Sequence, residues 1–298
     1  MNSTIPIIEI DPSAGFCSGV NRAIRFAEEN LQYLDSLSCI GNLVHNEAEL
    51  KRLKSLGMNF IEHEDIGPET KNVFIRAHGE PPETYKKLES SENHIVDATC
   101  PVVLRLQRKV KESSRIFHEN GKGKVIIFGK PGHPEIIGLL GQTYGNAILV
   151  KNIDEAHQLD FSLPMAIFAQ TTANEDEYNL LCRFVSEQSF LKTGSHGNVE
   201  IFQSICRQMS QRAPALREFA KNHDIVIFVS GSESSNGKYL AGISKKINPR
   251  TYVVKDSTEI GDWFQHTDRI GISGATSTPL WLMQSVADYI KSSFEQKQ

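Results

Sequence analysis

The stretch "KVIIFGKPGHPE", residues 124–135, decides how the rest of the chain is read. Val125, Ile126, Ile127 and Phe128 form a short continuous apolar run of β-branched and aromatic residues, the pattern of a strand buried on both faces of a parallel sheet. The run ends in a loop of small and polar residues that carries His133 and Glu135. The same sentence recurs in "NVFIRAHGEPP" (72–82), "MAIFAQTTANE" (165–175), "DIVIFVSGSESSNG" (224–237) and "RIGISGATSTP" (269–279). Between these runs lie amphipathic helical stretches: "EAELKRLKSLG", "VVLRLQRKVKESSRIFHEN", "EDEYNLLCRFVSEQ" and "PLWLMQSVADYIKSSF". Strand, polar loop, helix is the α/β signature, and such folds bind ligands beyond the carboxyl ends of their strands, where these loops lie.

Composition narrows the classes. A chain of 298 residues with 39% hydrophobic content can bury a sizeable core, and its length suggests about two or three domains. The formal net charge of −4, with basic residues scattered, gives no footprint for nucleic acid. The opening "MNSTIPIIEIDPSAG" lacks a basic and apolar leader, and no segment approaches the roughly 18 apolar residues of a membrane span. A cytoplasmic protein without membrane or nucleic-acid partners is expected, and its five dispersed cysteines do not form a disulfide framework.

The cysteines sort by context. Cys17 in "PSAGFCSGVNRAI" (12–24) sits in a glycine-flanked turn before Val20, Ile24 and Ala27, which recur at helical spacing. Cys100 precedes Pro101, a residue suited to the first helical position, and Cys206 opens the stretch "CRQMSQRAPALREFA". A sulfur there faces the positive end of a helix dipole, which favours thiolate, although any one of the three is equally a small buried residue beside a turn. Cys39 in "LSCIGN" and Cys182 in "YNLLCRFV" read as core residues. Three thiolates spread along the chain do not match zinc-finger or ferredoxin spacing, yet together they would leave one metal position open to substrate.

Of ten histidines, His45, His78 and His133 occur in compact loops, and the other seven sit among polar residues as solvated side chains. With Ser232, Ser234, Ser235 and Asn236 of "GSESSNG" and Thr276, Ser277 and Thr278 of "GATSTP", they could form a phosphate or diphosphate cradle, whereas a single serine-rich turn is ordinary helix capping. Glu135, read as a loop residue with Thr171 and Thr172 as hydroxyl relays, could deliver protons; a first-turn helix acid is the other reading.

In order along the chain, "GFCSGV", "LVHN", "RAHGEPPETY", "DATCPVV", "GHPEIIG", "QTT", "ICRQ", "SESSNGK" and "GATSTP" resemble the family of 4-hydroxy-3-methylbut-2-enyl diphosphate reductases, from about Gly15 to Trp281. The resemblance implies a trefoil of three similar α/β lobes, 15–100, 101–200 and 201–298, with a strand at 5–12 packing on the third. It implies a central 4Fe-4S cluster held by Cys17, Cys100 and Cys206, its fourth iron open to an allylic diphosphate. It further implies substrate binding by His45, His78, His133, Thr171, Thr172, Ser234, Ser235, Asn236 and Ser277, and proton delivery by Glu135 and Thr171. The reaction implied is reductive dehydroxylation, the last step of the methylerythritol phosphate route, with electrons from a ferredoxin or flavodoxin type of donor. A zinc-dependent hydrolase or a non-catalytic iron-sulfur sensor would share the cysteines, but the sensor has little use for a cradle and a proton donor.

Overall fold

The computed structural model describes residues 6–296; the Ser235 side chain and Ile5 of the expected 5–12 strand lie outside the described residues. In chain order the first elements are β1 (Ile7–Ile10), α1 (Ser18–Leu31), β2 (Leu37–Ile40), α2 (Glu47–Ser55), β3 (Met58–Ile61), β4 (Asn72–Ile75), α3 (Pro82–Ser90) and β5 (His94–Asp97). Next come α4 (Pro101–Glu119), β6 (Lys124–Phe128), α5 (Pro134–Gly141), β7 (Ala147–Val150), α6 (Ile153–Ala156), β8 (Met165–Ala169), α7 (Glu175–Thr193) and β9 (Val199–Ile201). The chain ends with α8 (Arg207–Lys221), β10 (Ile225–Val229), α9 (Ser235–Ile247), β11 (Thr251–Val254), β12 (Arg269–Gly274) and α10 (Leu280–Glu295). Three parallel sheets flanked by helices result, the α/β class expected from the repeated strand and loop pattern.

The chain divides into two compact units. One holds the described residues up to Ser36, Asn42–Phe60 and those from Ser210 onward; the other holds Leu37–Gly41 and Ile61–Met209. In the first unit the sheet order is β1-β12-β10-β11, every pair parallel. Alternation of side chains along β10 explains its uninterrupted apolar sequence. Ile225, Ile227 and Val229 pack with Leu282, Met283, Val286 and Ile290 of α10, whereas Phe228 packs with Ala213 and Leu216 of α8 and Leu240 of α9.

The second unit repeats this logic. Its sheet β7-β6-β8-β9 is parallel throughout, and β2, β4 and β5 run parallel in another. Ile126 and Phe128 of β6 face Tyr178, Leu181 and Val185 of α7, while Val125 and Ile127 face Leu106 and Val110 of α4 and Ile136 and Leu139 of α5. A strand covered on both sides has no polar face to show, which is why these runs read as continuous.

One expectation is corrected here. His223 is not solvated: it is 8% exposed, its ring packs 4.1 Å from that of Phe219, and its Nε2 lies 3.1 Å from Glu9 Oε2. The polar neighbours in "KNHD" suggested water, but the start of β12 supplies Gly271, whose missing side chain makes room for the imidazole.

Phe168, fully buried in β8 and stacked 4.3 Å from Phe202, tests the double-sided core. Phe168→Ala should cost about 3–5 kcal/mol. The urea midpoint should fall at an unchanged slope; a loss under about 1 kcal/mol would show a site that collapses around the gap.

Candidate active site

Helix starts carry most of the candidate residues. In the first unit Asp11, 3% exposed, ends β1: its Oδ1 accepts from Ser13 N (2.8 Å) and Oγ (2.7 Å), and its Oδ2 from Ser273 Oγ (2.8 Å). This braces a turn in which Gly15 takes φ +93°, a conformation open to glycine, and delivers Cys17 to the N-cap of α1. The Cys17 thiol makes no capping hydrogen bond, so capping does not consume the sulfur.

The same unit assembles a polar cluster from three loops. Asn46 caps α2 by accepting from Glu49 N at 3.0 Å, which places His45 just before the helix. A Cβ at Gly231 would stand 2.5 Å from the His45 carbonyl oxygen, so the loop after β10 touches that backbone directly. Ser234 caps α9, accepting from Gly237 N at 3.0 Å. Ser277 Oγ reaches Ser234 Oγ at 3.2 Å and donates to the His45 carbonyl at 3.4 Å. Thr276 turns instead to Asn236, whose Oδ1 accepts from its N (3.2 Å) and Oγ1 (3.1 Å). His45, Ser234, Asn236 and Ser277 are thus brought together, and the Ser277 hydroxyl joins Ser234. Behind them Glu49, wholly buried, accepts from Trp281 Nε1 at 2.8 Å and from Arg52 at 2.6 and 2.9 Å, tying α2 to the start of α10.

In the second unit His78 and His133 meet edge to face, ring centroids 5.2 Å apart. His133 caps α5: its Nδ1 accepts from Glu135 N at 3.1 Å, which leaves Nε2 to carry the proton of the neutral ring. Glu135 is therefore in the first turn of a helix rather than on a loop. It is 1% exposed, and both its oxygens face Thr171: Oε1 accepts from N at 2.7 Å and Oε2 from Oγ1 at 2.8 Å. Burial pushes its carboxyl up to about 7, against the pull of the two Thr171 bonds. Folding raises this pKa, so the native state binds the proton more tightly than the unfolded chain; the cost of ionisation is absent below pH 4.5 and full above about pH 7.

The two threonines separate. Thr172 is exposed and accepts from Gln170 Nε2 at 2.9 Å, and among the described residues it makes no hydrogen bond to Glu135. Thr171 also holds a cysteine loop, its carbonyl accepting from Cys206 N at 2.9 Å. Cys206 directly precedes α8, and Cys100 holds the N-cap position of α4 while its N donates to Ala77 O at 3.0 Å, next to His78. These two and Cys17 are half-buried. Cys39 and Cys182 are core residues, where burial pushes their thiols up to about 12 and about 11. Three half-buried sulfurs at helix starts fit thiolate ligands of an iron-sulfur group; the buried pair does not.

Sequence reading passed over Asp11, Glu49, Trp281 and Arg212. Asp11 followed two residues later by Ser13 is a turn signal that could have been read. The other three depend on contacts across the fold.

The model of the LytB protein family matches residues 8–291. The chain belongs to the LytB family. The 4-hydroxy-3-methylbut-2-enyl diphosphate reductase of Bacteroides fragilis is 42% identical over 292 residues, covering 97% of this chain and 99% of that one. The enzyme of the same description from Phocaeicola vulgatus is 43% identical over 279 residues, 93% of this chain and 96% of its own. A solved (E)-4-hydroxy-3-methyl-but-2-enyl diphosphate reductase, described as the terminal enzyme of the non-mevalonate pathway, superposes with a TM-score of 0.74 at 31% identity, covering 96% and 99% of the two chains. The Plasmodium falciparum E-1-hydroxy-2-methyl-but-2-enyl-4-diphosphate reductase gives 0.79 at 25% identity over 95% of this chain and 87% of its own. No helix of the described residues is long and apolar enough to cross a membrane.

Thr171→Val removes a hydroxyl that favours ionised Glu135 and keeps the backbone donor. The carboxyl stretch of Glu135, followed by infrared difference spectroscopy against pH, should titrate above its position near 7 in the parent protein. An unmoved or lower midpoint would mean that the hydroxyl does not bond the carboxylate.

Proposed function

We propose that this chain is an oxidoreductase that reduces (E)-4-hydroxy-3-methylbut-2-enyl diphosphate to isopentenyl and dimethylallyl diphosphate, the allylic hydroxyl leaving as water. Membership of the LytB family supports the reductase reading, and the buried Glu135, held by two hydrogen bonds from Thr171 and pushed up to about 7 by burial, is the observation that carries the chemistry. Replacing the C–O bond by C–H takes two electrons from the external donor and two protons, and the hydroxyl leaves as water when one of those protons reaches its oxygen. A carboxyl titrating near 7 can hold that proton at neutral pH and still release it.

The chain's own residues divide the work. Glu135 holds the proton, and Thr171, bonded to both its oxygens, fixes its orientation and offers a hydroxyl relay. His45, Ser234, Asn236 and Ser277, with His78, His133, Thr172 and Ser235, bind the diphosphate through imidazoles, hydroxyls and the start of α9. Cys17, Cys100 and Cys206 would hold a 4Fe-4S cluster, in a trefoil whose lobes run near 15–100, 101–200 and 201–298. When bound, such a cluster supplies electrons one at a time and an iron without a protein ligand. The external donor is of ferredoxin or flavodoxin type. No two of the cysteines are joined in a disulfide, which suits the reducing cytoplasm in which we place the enzyme.

Anaerobic purification with iron, sulfide and zinc analysis tests the whole reading. A brown protein whose visible spectrum changes on adding the diphosphate substrate is expected; a colourless protein with stoichiometric zinc would overturn it. Cys17→Ser, Cys100→Ser and Cys206→Ser should each lose cluster and activity, while Cys39→Ser and Cys182→Ala keep both.

Glu135→Gln keeps the shape but cannot pass a proton. Substrate affinity should change little while kcat falls about 10²–10⁴-fold. Parent turnover should decline as pH rises through about 7 as Glu135 ionises, and retention of parent kcat by the variant would remove Glu135 from the proton path.

A further inference from the structure

The stretch "CRQMSQRAP" after Cys206 contains Arg212, which none of the roles above uses. In the first unit its Nη2 donates to the carbonyl of Gly15, across 197 residues of chain. Gly15 is the positive-φ residue of the turn that delivers Cys17. The Arg212 Nε is buried without a hydrogen-bond partner, and among the described residues the guanidinium forms no ion pair with a carboxylate. Both oxygens of nearby Asp11 are engaged by Ser13 and Ser273.

A carbonyl needs only a neutral donor, and burying a guanidinium to serve it alone is unfavourable. Burial does hold Arg212 below the usual guanidinium range, and the groups that oppose this are Asp11 and the Cys17 sulfur. We infer that Arg212 is the positioning residue of Cys17: it clamps the turn at Gly15, two residues before the sulfur, and brings a guanidinium charge to that turn. This inference rests on the reading of Cys17 as a cluster ligand.

Two consequences separate the clamp from the charge. A cation beside the cluster stabilises its more negative, reduced form, so removing it lowers the midpoint potential. Loss of the hydrogen bond frees the turn, so iron escapes faster to a chelator. Arg212→Gln loses the charge and the original clamp, whereas Arg212→Lys keeps the charge on a stem that cannot reproduce the planar fork.

The experiment compares holoenzymes of the parent, Arg212→Gln and Arg212→Lys, purified anaerobically. Readouts are spectroelectrochemical midpoint potential, the rate of iron loss to bathophenanthroline, and far-UV circular dichroism for folding. Arg212→Gln should show a more negative potential and iron loss about tenfold faster, the scale of one charge-assisted hydrogen bond. Arg212→Lys should keep the parent potential but lose iron faster than the parent. Parent values of both quantities in folded Arg212→Gln would overturn the inference. If that variant does not fold, a parent rate of iron loss in Arg212→Lys would do so. A parent protein with no cluster would instead defeat the reading of Cys17 itself.

Discussion

Two hydrogen bonds from Thr171 to a carboxyl buried at 1% exposure tie together the working part of the second unit. Glu135 stands in the first turn of α5 and Thr171 just past the end of β8, so the pair locks a helix start to a strand end. The same threonine's carbonyl holds Cys206, and the backbone N of Glu135 fixes the tautomer of His133. Without the two donors, a carboxyl this deeply buried would stay protonated well above neutrality. With them it sits near 7, where a proton can go either way.

The geometry follows from the parallel sheets. Every strand of a parallel sheet points the same way, so the loops after β4, β6, β8, β10 and β12 carry their polar side chains to carboxyl ends. Several helices start at residues of the candidate site or their immediate neighbours: Asn46, His133 and Ser234 cap α2, α5 and α9 through their side chains, and Cys17 and Cys100 hold the N-cap positions of α1 and α4 without a capping hydrogen bond. Helix starts favour anionic groups of two kinds. Where the residue is a cysteine, they favour thiolate; where it is histidine or serine, they suit a phosphate oxygen.

Some side chains sit in settings that their sequence neighbours conceal. Glu135 reads first as a loop residue, with a first-turn helix acid as the other reading, because "GKPGHPE" contains enough glycine and proline to suggest continuous loop; the helix reading is the one the structure bears out. "QTT" offered two equivalent hydroxyls; β8 ends so that only the first turns inward. The motif singles out Ser277 over Thr276, and the structure gives each its own partner, Ser234 for the first and Asn236 for the second. His223 was misjudged because its sequence neighbours are polar while its spatial neighbours are Phe219 and β12.

By itself the sequence determined the α/β class, the positions of the buried strands and major helices, the division of cysteines into core and helix-start types, and the motif order that marks the family. These are properties of residues a few positions apart, governed by side-chain alternation, helical period and capping. Tertiary structure alone decided which hydroxyl meets Glu135, which polar groups gather at His45, and that Arg212 reaches the turn of Cys17. Those partners lie 36 residues apart for Glu135 and Thr171 and 197 apart for Gly15 and Arg212. A hydrogen bond forms within about 3 Å, and no local pattern in a chain records which distant residue folding will bring that close.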